Sequence, residues 1–170
     1  MKLAVTVHFD GTQAQVAGVA FEAWDSFEAT KTFRSRIAAI ETAEKAPRGA
    51  LDLRELPCIL QLLRQHKLEP ELILIDGFVH LDAEEKAPGL GLHLFQALGG
   101  KTPVIGVSKT SRPGLTAQFE VMREEEAKPM IVTCVGIDIG AAKGRVRAMH
   151  GRKRVPTLMK LATRLAKSPD

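Results

Sequence analysis

Residues 70–77 read Pro-Glu-Leu-Ile-Leu-Ile-Asp-Gly. Leu72 to Ile75 is an unbroken aliphatic run, bounded by Pro70 before it and Asp76-Gly77 after it. So short a run, without alternation, predicts a strand buried on both faces, as in the middle of a parallel sheet. Thr102-Pro-Val-Ile-Gly-Val107 repeats the pattern and ends at Ser108-Lys109. Lys128 to Val135 reads as a further strand, and Ser111 to Gly114 as a turn. Gly89 to Leu98 is helical in pattern and is stopped by Gly99-Gly100. On the other side, Asp52-Leu-Arg-Glu55 has the spacing of a capping box, and Pro57 is tolerated in a first turn. A helix is predicted from there to about His66.

Nearer the N-terminus, Leu3 to Phe9 is rich in β-formers, and Asp10-Gly11 is a hairpin turn signal. Ala14 to Phe21 reads as its partner, and Phe27 to Ile37 as a third strand. Lys45 to Gly49 is a loop. Two helices, Ala141–Met149 and Thr157–Ala166, close the chain. Antiparallel strands followed by alternating helix and strand describe a mixed α/β sheet with helices on both faces, in one domain spanning residues 1–170. Functional residues are expected at the strand ends, where loops meet solvent on a rigid frame.

Composition narrows the class. Of 170 residues, 45% are hydrophobic, enough for a core and too many for a disordered chain. No apolar run reaches the length of a membrane span. The opening residues are too short and alternating for a signal peptide, so a cytoplasmic location is expected; a monomer is also expected. Cys58 and Cys134 lie in apolar runs and read as buried thiols. The chain has no CxxC, HExxH or GxGxxG, which removes support for zinc or a dinucleotide cofactor. The net charge is +4, but its distribution is uneven. Between Lys143 and Lys167 there are basic residues and no acid. Such a stretch suits a polyanion or is a solvated helical face.

Three carboxylates stand where a divalent cation would need them. Asp10 and Asp76 end predicted strands, and Glu55 opens the helix between them. Terminal carboxylates of neighbouring strands repel unless a cation neutralises them, and Mg²⁺ prefers such oxygens. The alternatives are turn residues at Asp10 and Asp76, and a capping partner of Asp52 at Glu55. Lys109, at a strand exit, suits a phosphate oxygen or an ordinary surface charge. Trp24 and Phe78 could stack on a base or pack internally, and His8 shares a strand face with Asp10.

Leu51-Asp-Leu-Arg-Glu-Leu-Pro57, Pro70-Glu-Leu-Ile-Leu-Ile-Asp-Gly77 and Pro103-Val-Ile-Gly-Val-Ser-Lys109 together resemble the endonuclease V family in order and spacing. Arg154 to Ala166 is similar to that family's C-terminal helix. The resemblance implies a ribonuclease H-like fold. It implies an endonuclease that cuts DNA or RNA near inosine-type bases with Mg²⁺ or Mn²⁺, in repair or RNA processing. It carries the strand-end Asp onto Asp10, the helix Glu onto Glu55, the Asp of Asp-Gly onto Asp76 and the catalytic Lys onto Lys109. Nucleic-acid contacts are then expected from Phe78, His80, Lys109, Arg48, Lys143 and Arg145.

The departures are specific. The family's wedge-bearing Pro-Tyr-Ile-Pro-Gly loop falls on Ala46-Pro-Arg-Gly49, and the chain has no Tyr. Its Asp-Gly-His-Gly loop falls on Asp76-Gly-Phe-Val-His80, with His80 as a stand-in for its second His. Its Gly-His-Arg-Ile falls on Gly136-Ile-Asp-Ile139, where Asp138 offers a replacement oxygen ligand. A nucleic-acid-binding module with weakened or absent catalysis is the alternative function these losses favour.

Overall fold

The computed structural model describes residues 1–38, 53–124 and 127–169. Its chain order is β1 (Lys2–Asp10), β2 (Gln13–Phe21), β3 (Lys31–Ile37), α1 (Glu55–Gln65), β4 (Leu72–Asp76) and α2 (Leu90–Ala97). Then come β5 (Val104–Ser108), a 3-10 turn (Ala117–Phe119), β6 (Glu120–Val121), β7 (Met130–Val135), α3 (Ile139–Ala148) and α4 (Thr157–Lys167). The strands form one sheet in the order β3-β2-β1-β4-β5-β7-β6. β1, β4 and β5 run parallel, while β2, β3 and β7 run antiparallel to their neighbours.

The central strands are apolar on both sides because both sides are covered. Leu72 and Leu74 face the layer of α3 and α4, with Ile105, Val107 and Val132. Ile73 and Ile75 face the layer of α1 and α2, with Leu3, Val5 and Val104. The two core clusters are the two faces of the one sheet. Cys58 and Cys134 sit on opposite faces as free, buried thiols, and burial pushes each pKa up to about 11.

α4 lies across β1 and β2 and buries Leu158, Met159, Ala162 and Ala166. Each large side chain contributes about 1.5–3 kcal/mol by leaving water. The end of α4 is clasped by Gln15, whose amide donates to the carbonyls of Leu165 (3.0 Å), Ala166 (3.2 Å) and Ser168 (2.6 Å). These carbonyls lie at the end of the helix, where Leu165 O also accepts from Ser168 N at 3.3 Å, and the clasp fixes where the helix stops. Arg123 does the same for the segment after α3, donating to Val146 O at 2.6 Å, Met149 O at 3.1 Å and Gly151 O at 3.1 Å.

Several predicted boundaries move. β3 starts at Lys31 because residues 22–30 form a bend that leaves Phe27 exposed. α3 starts two residues earlier than expected, since Asp138 rather than a later residue caps it, accepting from Ala141 N at 3.2 Å. Asp52, the expected cap of α1, lies outside the described residues. Arg54 occupies the N-cap position with no side-chain cap bond.

Candidate nucleic-acid cleft

β4 and β5 end side by side, with Asp76 paired to Val107 and Lys109 two residues further on. The side-chain alternation that sends Leu72 and Leu74 toward α4 sends Asp76 the same way. The last β1–β4 pair is Val5 with Ile75, so the next step of the register sets Thr6 beside Asp76. Above these strand ends runs one face of α4. Lys160, Thr163, Arg164 and Lys167 recur at helical spacing and look onto the same space. The result is a cleft of about 520 Å³, floored by Val107, Met130, Val155 and Met159 and edged by Asp76, Lys109 and the cations of α4. Arg154 holds the Lys109 end of the cleft. Its guanidinium donates to Lys109 O at 2.6 Å, Pro129 O at 2.8 Å and Lys128 O at 2.7 Å.

Asp76 is open to solvent at the cleft, yet the cleft walls strip enough water to raise its pKa. Lys109 and Lys167 pull in the opposite direction and do not cancel the effect. A carboxyl with a raised folded pKa takes up its proton in the folded state first. Stability from this group therefore rises as pH falls through the folded value, and the gain is complete below the unfolded value. Asp76→Asn is expected to be more stable than the wild-type chain at pH 7, with the gap closing on acidification. Melting temperatures measured from pH 7 down to pH 3 check this; a gap that widens on acidification would refute it.

The other expected site residues scatter. Asp10 sits at the tip of the β1–β2 hairpin, paired with Gln13. It lies four residues beyond Thr6, about 13 Å further along the strand, and lines an adjoining cavity with Gln13, Arg36 and Ser168, which shares His8 and Lys167 with the cleft. Glu55 opens α1, on the opposite face of the sheet from Asp76. Asp138 follows β7, whose antiparallel course returns it to the edge away from Asp76, where it caps α3. Among the described residues, no group of three or more His, Cys, Asp or Glu is placed to hold a metal ion. Among the described residues the expected convergence of Asp10, Glu55 and Asp76 is thus not found, and those residues do not by themselves fit a divalent cation.

The expected strand contacts divide similarly. Lys109 edges the cleft, and His8 lines it. Phe78 packs in the small cluster of Leu115, Phe119 and Ile131, with Arg112 over its ring at 5.6 Å. His80 is buried against the Phe119 ring, and its Nδ1 lies 2.7 Å from Asp82 O. Lys143 donates to Gln118 O at 3.0 Å. Arg145 lies over Trp24 at 6.0 Å, at the start of β1 and β4, the far edge of the sheet. Arg48 lies outside the described residues.

The sheet order, the helices on both faces and the strand-end cleft define the ribonuclease H-like fold. The model of the family described as Endonuclease V matches residues 3–155, and the chain belongs to that family of nucleases. Solved structures agree on the fold. Endonuclease V of Ciona intestinalis, in complex with a DNA containing an inosine followed by a ribo-adenosine, aligns with TM-score 0.78 at 17% identity. That alignment covers 98% of this chain and 84% of that one. The catalytic domain of human endonuclease V aligns with TM-score 0.73 at 22% identity, covering 98% and 80%. The Bacillus subtilis endonuclease V aligns with TM-score 0.69 at 19% identity, covering 97% and 77%. No curated protein sequence matches the chain.

Proposed function

We propose that this chain binds a nucleic-acid strand, DNA or RNA, carrying a deaminated base, and that its phosphodiester cleavage is weakened or absent. The observation that carries the reading is the composition of the cleft. Four cations, Lys109, Lys160, Arg164 and Lys167, face one carboxylate, Asp76, over an apolar floor. Phosphates match the cations, and the apolar floor suits the face of a base. One turn of α4 advances about 5.4 Å, so its cations line a groove rather than cluster at a point. Two ammonium groups beside Asp76 also offset the charge that would draw a divalent cation. The inosine-containing DNA bound by the Ciona protein supports the ligand class.

A second reading is an Mg²⁺- or Mn²⁺-dependent endonuclease. Asp76 and Lys109 at adjacent strand ends favour it, since a carboxylate and a lysine there are groups that phosphoryl chemistry uses.

Fluorescence anisotropy and a gel cleavage assay on inosine-containing and control strands separate the two. With no metal, binding should weaken with salt with a log–log slope of about −2 to −3, as the counterions released when three to four phosphates of a single strand are neutralised require. With Mg²⁺ or Mn²⁺, no product should accumulate. Rapid cutting that Asp76→Asn abolishes would establish the second reading. A chain that retains no strand at low salt would reject both.

A further inference from the structure

The geometry points to Thr6 as the position at which this cleft lacks the second carboxylate of a divalent-cation site, so that a single substitution there creates metal binding. This rests on the cleft being the strand site. It goes further by naming a position, among the described residues, that separates a binding cleft from a metal-loaded one.

The argument is one of register. Val5 pairs with Ile75 in the parallel β1–β4 ladder, so positions 6 and 76 are the next neighbours. Adjacent strands lie about 4.8 Å apart, and neighbours in register project to the same side. Thr6 and Asp76 line the same cleft, on the side where Ala4, Leu72 and Leu74 pack. A carboxylate at each position would bring oxygens within coordination reach, about 2.0–2.1 Å for Mg²⁺, of one shared cation such as Mg²⁺ or Mn²⁺. His8 is the following residue of β1 on that side and borders the same space, so a nitrogen donor is at hand. Thr6 supplies a hydroxyl, which is neutral and a weak ligand beside a carboxylate. It is also nearly buried, 9% exposed, so its side chain points into the structure rather than away from the cleft. Asp10, the acid that β1 does carry, lines the adjoining cavity, about 13 Å further along the strand.

Titration calorimetry with MnCl₂ alone tests this on the wild-type chain, Thr6→Asp, Thr6→Asn and the double variant Thr6→Asp/Asp76→Asn. Thr6→Asp should bind Mn²⁺ at least about tenfold more tightly than the wild-type chain, because two like charges in one pocket gain most from a shared cation. Thr6→Asn should match the wild-type chain, and the double variant should lose the gain. The same Mn²⁺ should raise the melting temperature of Thr6→Asp and leave that of Thr6→Asn unchanged. Equal Mn²⁺ affinity in Thr6→Asp and the wild-type chain, both folded by circular dichroism, overturns the proposal. So does a gain that survives Asp76→Asn. Should Thr6→Asp not fold, Thr6→Cys with Cd²⁺ replaces it, since the wild-type thiols are both buried. A thiolate–cadmium absorption band in Thr6→Cys that fades in Thr6→Cys/Asp76→Asn supports the assignment; its absence from Thr6→Cys overturns it. Metal-free strand binding by the wild-type chain is measured alongside. Its failure sinks the strand-binding reading without touching the Mn²⁺ comparison.

Discussion

Combined replacement of Lys160, Arg164 and Lys167 by Glu is expected to weaken strand binding at low salt by about 1000-fold. The three residues share one face of α4 and border the cleft, whereas Leu158, Ala162 and Ala166 anchor the helix from the other side. Each reversal removes an attraction to phosphate and adds a repulsion, together about 4 kcal/mol. The salt slope should shrink with it, because fewer counterions are displaced. Two of the three sit in the last turn of α4, where Glu opposes the helix dipole at about 0.3–1 kcal/mol each. That cost is small, and circular dichroism should still report the native helix content. The matched control is Lys31, Lys67 and Lys101, exposed cations at the far edge of the sheet. Reversing those three should change affinity only slightly. Equal losses from both triples would mean that net charge, not the cleft, governs binding.

Gly106→Val is expected to cost about 3–5 kcal/mol and lower the melting temperature accordingly. Gly106 lies in β5, where the segment after Asp76 crosses the strand at close range. A Cβ at position 106 would stand 2.5 Å from Gly77 O, 2.9 Å from Thr133 Oγ1 and 3.1 Å from Val79 N. Two of those atoms are backbone and cannot rotate aside. The third is the hydroxyl that accepts from Val79 N at 2.8 Å, so the clash also breaks a buried hydrogen bond. Because Gly77 follows Asp76 directly, the displaced loop carries the carboxylate with it and strand binding should fall as well. Gly144→Ala offers the contrast. It lies within α3 with nothing within 4 Å of the added methyl, and helix propensity favours Ala by up to about 1 kcal/mol. Thermal melts of the two variants decide the matter. A Gly106→Val chain as stable as the wild type would show that the loop does not pack there.

The central strands were readable because burial on both faces leaves an unmistakable pattern in Leu72 to Ile75 and in Val104 to Val107. The hairpin, α1, α2 and α4 followed from turn residues and apolar spacing. What sequence did not reveal was how far each strand projects. β1 has nine residues and β4 five, so the shared ladder ends at Val5 while the hairpin continues alone to Asp10. A turn residue at a hairpin tip overhangs a shorter parallel neighbour, and the Asp10-Gly11 signal was itself the hint. Asp138 failed for a related reason. Its strand runs antiparallel to β5, and strand direction is not written in an apolar run. Lys160, Arg164 and Lys167 were visible as a basic stretch, but their common target became clear only once α4 was seated over the ends of β1 and β4. Gln15 and Arg154, which fix α4 and the Lys109 carbonyl, gave no local sign, because their partners are far along the chain.

Lysine acetylation read by mass spectrometry, with and without an inosine-containing strand, tests the cleft most directly. Lys109, Lys160 and Lys167 should be protected by the strand, while Lys31, Lys67 and Lys101 react at unchanged rates. Protection of the far-edge lysines with the cleft lysines left reactive would contradict the account.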